Sequence, residues 1–289
     1  MATKRTQRAA AAIDVSAFTE RWRPLDGVIA QIQRQNGLVI GQPEAADSRI
    51  ERLLDHRLGQ LAIDVGAYAA RCARDPVERL LLLDLLQLRR SAWFPGPGHF
   101  QHFEQRIVPA VAGRFVRTSK PVIRIWCAST GTGEEAYSIA SVLERALPGR
   151  PRWDATILAT DWSLSALEYA QVGHYERIEI AALDAGDRAR LVRESSGARP
   201  RFSIRPEVRR DVHFAWLDIN GPWAFAGPFD AVFCHGLIGR IDARSCERAI
   251  ERIAAMLPAG APLYASPGDE HPAFARHFRA VAGPGIHLR

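Results

Sequence analysis

The chain has 289 residues, 47% of them hydrophobic and 24% charged, a make-up that fits a packed globular protein and excludes a disordered or fibrous one. Its net charge of +6, from 38 Lys and Arg against 32 Asp and Glu, is scattered, with no stripe pairing cations with stacking aromatics, so no nucleic-acid partner is expected. Cys72, Cys127, Cys234 and Cys246 stand far apart without a C-x-x-C pair, which excludes a zinc ribbon and a disulfide framework and fits a reduced, cytoplasmic protein.

Met1 to Asp14 carries Lys4, Arg5 and Arg8 before an alanine run too short for a signal-peptide core, and is expected to be a disordered tail. Residues 15–112 read as an all-helical N-terminal domain with a connector. Apolar positions recur at helical spacing: Val28, Ile29, Ile32; then Ile50, Leu53, Leu54, Leu58, Leu61; then Val77, Leu80, Leu81, Leu85, Leu88. Turn chemistry at Asn36-Gly37, Gly41 to Pro43 and Asp75-Pro76 ends each helix. The apolar run Leu80 to Leu88 is interrupted by Asp84 and Gln87 and is far too short to cross a bilayer, so no membrane insertion is expected. Pro95-Gly96-Pro97-Gly98 marks a rigid loop, after which His99 to Val111 resumes as a helical connector. His99 and His102 share a helical turn, but no third ligand is spaced with them, and no metal site is expected.

Residues 113–289 change rhythm. Val122 to Trp126 predicts a strand, the Gly131/Gly133 loop follows, and Glu134 to Leu147 predicts a helix. A second strand, Thr156 to Thr160, ends at Asp161 before the helix Leu164 to Gln171. Val212 to Trp216 ends near Asp218, Phe229 to Cys234 is a fourth strand, and helix Ala243 to Met256 with strand Pro262 to Ala265 completes the alternation of a doubly wound Rossmann-like α/β sheet. Residues 174–210 interrupt it as a small β insertion, with Arg201 to Ile204 as a short strand.

In such a sheet the ligand lies beyond the carboxyl ends of the strands. Ala128 through Gly133 lets a ligand approach the backbone closely before a helix N-terminus, Asp161 is placed for ribose hydroxyls, and Asp218 for an adenine amino group. Gly131, Gly133 and Ala136 also satisfy the dinucleotide pattern G-x-G-x-x-A, so a nicotinamide-dependent oxidoreductase is one candidate. Glu134 and Glu135, however, set two carboxylates where a pyrophosphate would sit, whereas S-adenosylmethionine (SAM) carries cationic ammonium and sulfonium groups. Electrostatics favour SAM.

The run Ile125-Trp126-Cys127-Ala128 through Gly133-Glu134-Glu135-Ala136-Tyr137-Ser138-Ile139-Ala140, with Ala159-Thr160-Asp161 and Ala166-Leu167-Glu168-Tyr169-Ala170, resembles the chemotaxis receptor methyltransferases (CheR type). The resemblance extends to Gly227 through Cys234, to Gln35-Asn36-Gly37-Leu38, and to Ser91-Ala92-Trp93-Phe94 with His99-Phe100. It implies a SAM-dependent protein-glutamate O-methyltransferase whose product is S-adenosylhomocysteine (SAH) and whose substrate is a protein, a chemoreceptor helix or a signalling partner. Carried over by position, Glu135 would hold the SAM amino group, Asp161 the ribose, and Asp218 and Ile219 the adenine side. Ser91 would approach from the helical domain, with Ala128, Gly133, His235 and Gly236 completing the contacts. The insertion would match the small β-subdomain through which some members grip a receptor tail. The chain departs from the family at Pro95 (arginine expected), His235-Gly236 (Arg-Asn), Arg240 (tyrosine) and Asp218 (asparagine). Proline donates no hydrogen bond, so an impaired relative that binds SAM or SAH and serves as a protein-binding module is a further candidate. No catalytic residue is assigned.

Overall fold

Glycine ends the first helix for a backbone reason: Asp26–Asn36 stops where Gly37 adopts φ 62°, a left-handed conformation that costs other residues a clash at Cβ. Helices Ser48–Leu61, Val65–Arg74 and Pro76–Gln87 follow. The third, begun by Asp64 accepting the Ala67 amide at 2.7 Å, buries Val65, Tyr68, Ala69 and Cys72 at helical spacing. These features come from a computed structural model that describes residues 20–40, 48–115, 120–149, 152–196, 201–266, 269, 271–281 and 285–289. The expected tail at 1–14 and the break at Gly41 to Pro43 lie outside them. The chain divides into two compact units, Met1–Leu86 and Gln87–Arg289.

In the first unit Trp22, Leu25, Ile29, Leu54, Tyr68 and Cys72 are buried. The helix Pro76–Gln87 corrects the apolar face expected from sequence. Val77, Leu80 and Leu81 are exposed, and Glu78, Leu82, Leu83 and Leu86 are buried instead. Leucine at four successive positions, 80–83, makes the helical period degenerate, and a charge cannot announce its own burial. Glu78 is 2% exposed because Arg57 grips both its oxygens at 2.8 Å and Arg71 adds a bond at 3.2 Å. The Arg57 hydrogen bonds hold the Glu78 carboxyl below its usual range. A depressed carboxylate stabilises the fold above its unfolded pKa and loses that contribution as pH falls through the folded one. Unfolding followed by circular dichroism should therefore show the first unit weakening below about pH 4, near the unfolded glutamate value. Glu78→Gln should remove about 2 kcal/mol at neutral pH, less than a fully buried pair because both arginines reach solvent. A mutant with an unchanged acid limb would sink this account.

The second unit holds a seven-stranded sheet. Its strands in chain order are β1 (Val122–Ala128), β2 (Asp154–Asp161), β6 (Val212–Trp216), β7 (Ala231–Phe233), β8 (Pro262–Tyr264), β9 (Arg279–Ala280) and β10 (Ile286–Leu288), with β3 (His174–Tyr175), β4 (Val192–Glu194) and β5 (Phe202–Ile204) forming a separate antiparallel sheet between β2 and β6. The large sheet runs β6-β2-β1-β7-β8-β10-β9; the five strands expected from sequence pair in parallel, and β10 and β9 add an antiparallel edge. Buried Ile123, Ile125, Ile139, Val142, Ile157 and Phe233 build its core, which fits a doubly wound Rossmann-like domain. The connector helices Pro97–His102 and Val108–Arg114, joined by one π turn over Phe103–Ile107, bring Phe100, Phe103, Val108 and Val111 into that core. Among the described residues no helix is long and apolar enough to cross a membrane.

Candidate functional site

Strand order reverses between β1 and β7, and the loops leaving those two strands meet there. After β1 the chain turns sharply: Ser129 adopts φ 88°, and the Ser129 and Thr130 amides donate to Thr160 O at 2.8 and 2.9 Å. A left-handed non-glycine residue costs about 1–3 kcal/mol, a strain characteristic of functional loops. Gly131 follows at φ 56°, where a Cβ would fall 2.7 Å from Arg89 O, so the segment 89–91 crosses directly over it. Gly133 at φ 98° lies equally close to Ala170.

The helix Glu134–Ala146 therefore starts under residues 89–91. Ser91 Oγ accepts the Glu135 amide at 3.3 Å and the Ser91 amide donates to Thr132 Oγ1 at 3.2 Å, so Ser91 sits on the glycine loop as part of the second unit. The two glutamates are not equivalent, although sequence treated them as a pair. Glu134 turns inward, 1% exposed, accepting from Thr132 Oγ1 at 2.7 Å, and burial pushes its carboxyl upward. Glu135 turns to the strand ends.

There Glu135 meets one imidazole, which is backed by a second. His235 Nδ1 lies 2.5 Å from Glu135 Oε1, and its Nε2 lies 2.7 Å from His99 Nδ1. All three residues are 5% exposed or less. An ionised carboxylate only accepts, so His235 Nδ1 donates to Glu135, and the Nε2 of a neutral His235 then accepts from His99. His99 was not singled out by sequence for this place. Its delivery depends on Pro95-Gly96-Pro97: Gly96 takes φ 64°, and a Cβ there would collide with the His99 ring at 2.7 Å. The proline that replaces the expected arginine thus belongs to a turn that brings an imidazole into the site. His102, one turn on, bonds Tyr264 Oη at 2.9 Å instead.

Asp161 closes the second strand end. It is 5% exposed, with Oδ2 accepting the Gly131 amide at 2.8 Å and Oδ1 the Ser163 amide at 3.0 Å. Its own carbonyl accepts the Leu217 amide at 3.0 Å, which ties in the loop carrying Asp218 and buried Ile219. Asp218 Oδ1 accepts the Asn220 amide at 2.9 Å. After β7, Gly236 stands at φ 70° with the Arg89 guanidinium 3.4 Å from where its Cβ would be. Arg89 Nη2 donates to Ser129 O at 2.5 Å. Arg240 donates to the carbonyl and the side-chain oxygen of Gln87. Burial, then the nearby charge of Arg89, pulls Arg240 down to about 10. Sequence reasoning passed over Arg89; its one signal was a position two residues before Ser91.

A family model described as the CheR methyltransferase SAM-binding domain matches residues 89–285. The chain is 27% identical over 197 residues to a probable chemotaxis protein methyltransferase of Rhizobium etli, covering 68% of this chain and 73% of that one. It is 24% identical over 266 residues to the chemotaxis protein methyltransferase Cher2 of Pseudomonas putida, covering 88% and 93%. Among solved structures it is similar to the plantazolicin methyltransferase BpumL in complex with SAH, 16% identical over 75% of this chain and 60% of that one, with a TM-score of 0.31.

Proposed function

The chain belongs to the CheR methyltransferase family, and from that premise we propose that it transfers a methyl group from SAM to glutamate side chains of a chemotaxis-receptor helix. The observation that supports this most is the buried Glu135 carboxylate, aimed at the switch point within the same loop system as Asp161. The donor set fits the cofactor. Glu135 matches an ammonium group, and Asp161 still has an acceptor lone pair on each oxygen for ribose hydroxyls after taking two amides. Asp218 and Ile219 would flank the adenine, while Ser91, Ala128, Gly133, His235 and Gly236 would line the amino-acid end.

SAM supplies an electrophilic methyl on a sulfonium sulfur. The acceptor carboxylate brings its own lone pair, so the protein has to align, desolvate and hold, and no general base is required. In this proposal the three-stranded sheet β3-β5-β4 grips the receptor tail, a role drawn from the family resemblance.

The test is transfer from methyl-labelled SAM to a purified receptor signalling fragment, with titration of SAH and NAD in parallel. The expected result is label released as methanol by mild alkali, SAH binding, and no NAD binding. Alkali-stable label would rule out carboxyl methylation. SAH binding with no transfer to any receptor fragment would instead favour the protein-binding module.

A further inference from the structure

Two guanidiniums stand in the site, and among the described residues no carboxylate is bonded to either. Arg89 Nη2 reaches Ser129 O at 2.5 Å, Ser129 Oγ at 3.4 Å and His235 O at 3.4 Å, and its Nε is buried with no hydrogen-bond partner among the described residues. Arg240 Nη2 bonds the carbonyl and side-chain oxygens of Gln87, whose own Nε2 is likewise buried and unpartnered. Among the described residues both cations therefore hydrogen-bond only to neutral oxygens, and the charge of Arg89 acts to lower the pKa of Arg240. Asp161 partly offsets Arg240, yet both of its oxygens serve backbone amides.

Partly burying a cation without a counter-charge among the described residues is costly, and the buried, orphaned Arg89 Nε–H adds to the cost, so the arrangement is half of an interaction. The other half must be an anion that fits a guanidinium fork, and a carboxylate does so with two parallel bonds. Position narrows the choice. His235 links a guanidinium to a carboxylate: its carbonyl accepts from Arg89 Nη2 at 3.4 Å, and its Nδ1 lies 2.5 Å from Glu135 Oε1.

We propose that Arg89 and Arg240 form a carboxylate-binding pair beside Glu135, supplying the positive charge that Pro95 cannot. The proposal rests on the SAM-site assignment above. One source of the carboxylate is the amino-acid end of the cofactor, whose ammonium and carboxylate would meet Glu135 and Arg89 together. The other is the acceptor side chain.

The experiment uses the whole chain labelled with 15N-arginine, observing the Nε–H resonances assigned with Arg89→Gln and Arg240→Gln. The ligands are SAH, decarboxylated SAH (which keeps the ammonium), methylthioadenosine (which lacks both groups), and, on SAH-saturated protein, N-acetylglutamate methylamide. If the cofactor is the source, SAH shifts the Arg89 Nε–H and Arg89→Gln weakens SAH roughly ten- to hundredfold, while decarboxylated SAH is unaffected. If the acceptor is the source, SAH affinity holds in both variants, and the capped glutamate shifts the arginine resonances only in the wild type. Methylthioadenosine affinity reports folding, and Arg89→Lys and Arg240→Lys, which keep the charge, should retain part of the effect. Arginine resonances indifferent to SAH and to the capped glutamate, in protein that binds SAH, would overturn the pair. Wild-type protein that binds no SAH would overturn the cofactor assignment itself.

Discussion

Asp161→Ala is expected to lower both the melting temperature and the affinity for SAH, and Asp161→Asn to separate the two effects. Each Asp161 oxygen takes a backbone amide, from Gly131 at 2.8 Å and Ser163 at 3.0 Å, in a place only 5% exposed. Removing the carboxylate leaves two buried N–H groups unpaired, at about 1–3 kcal/mol each. At about 2–4 °C per kcal/mol for a protein of this size, the melt should fall by roughly 5–20 °C. Loss of the proposed ribose contact should cost SAH a further factor of about 10 to 150, the range for hydrogen bonds to a charged group. Asparagine keeps one acceptor, so its melt should lie between the other two while its SAH affinity remains well below wild type. Calorimetric melts and SAH titrations on the three proteins decide this. A folded alanine mutant with wild-type affinity would remove Asp161 from the ribose role and leave it as a purely structural carboxylate.

What sequence made legible follows from the range of the forces involved. The parallel strands β1, β2 and β7 could be read because predominantly apolar runs mark strands covered on both faces. β9 and β10 could not, since Arg279–Ala280 is a two-residue exposed edge and Ile286–Leu288 buries only Ile286 well. At the site, the glycine loop and Asp161 announce themselves by local chemistry, because backbone approach demands glycine and the strand end demands a turn residue. The relay from Glu135 through His235 to His99 spans 136 residues of chain, and nothing local to His99 specifies its partner. Pro95 shows the limit most clearly. As a lone departure it reads as a lost hydrogen-bond donor, yet with Gly96 it forms the turn that seats His99 against His235. Arg89 was illegible for the same reason: its place beside the glycine loop follows from crossing Gly131.

Glu135→Gln tests whether that relay leaves the carboxylate free to act on a ligand. Glutamine is nearly the same shape and its carbonyl can still accept from His235 Nδ1, so the bond seen at 2.5 Å has a neutral replacement and what is lost is charge. SAH, which bears the ammonium, should bind about 10 to 150 times more weakly, while methylthioadenosine, which lacks it, should change by no more than about twofold. His235→Ala should act in the opposite sense. Without the imidazole, the ligand-free protein holds an unpaired Glu135 carboxylate, 1% exposed, and loses about 1–3 kcal/mol of stability. An incoming ammonium would then restore a partner that wild-type protein already has, so SAH should bind more tightly relative to methylthioadenosine. In the double mutant the two effects should not add, because both act through one carboxylate. Equal losses for SAH and methylthioadenosine in Glu135→Gln would place the residue in the fold and not in the ligand site. Additivity in the double mutant would show that His235 and the ammonium do not share Glu135.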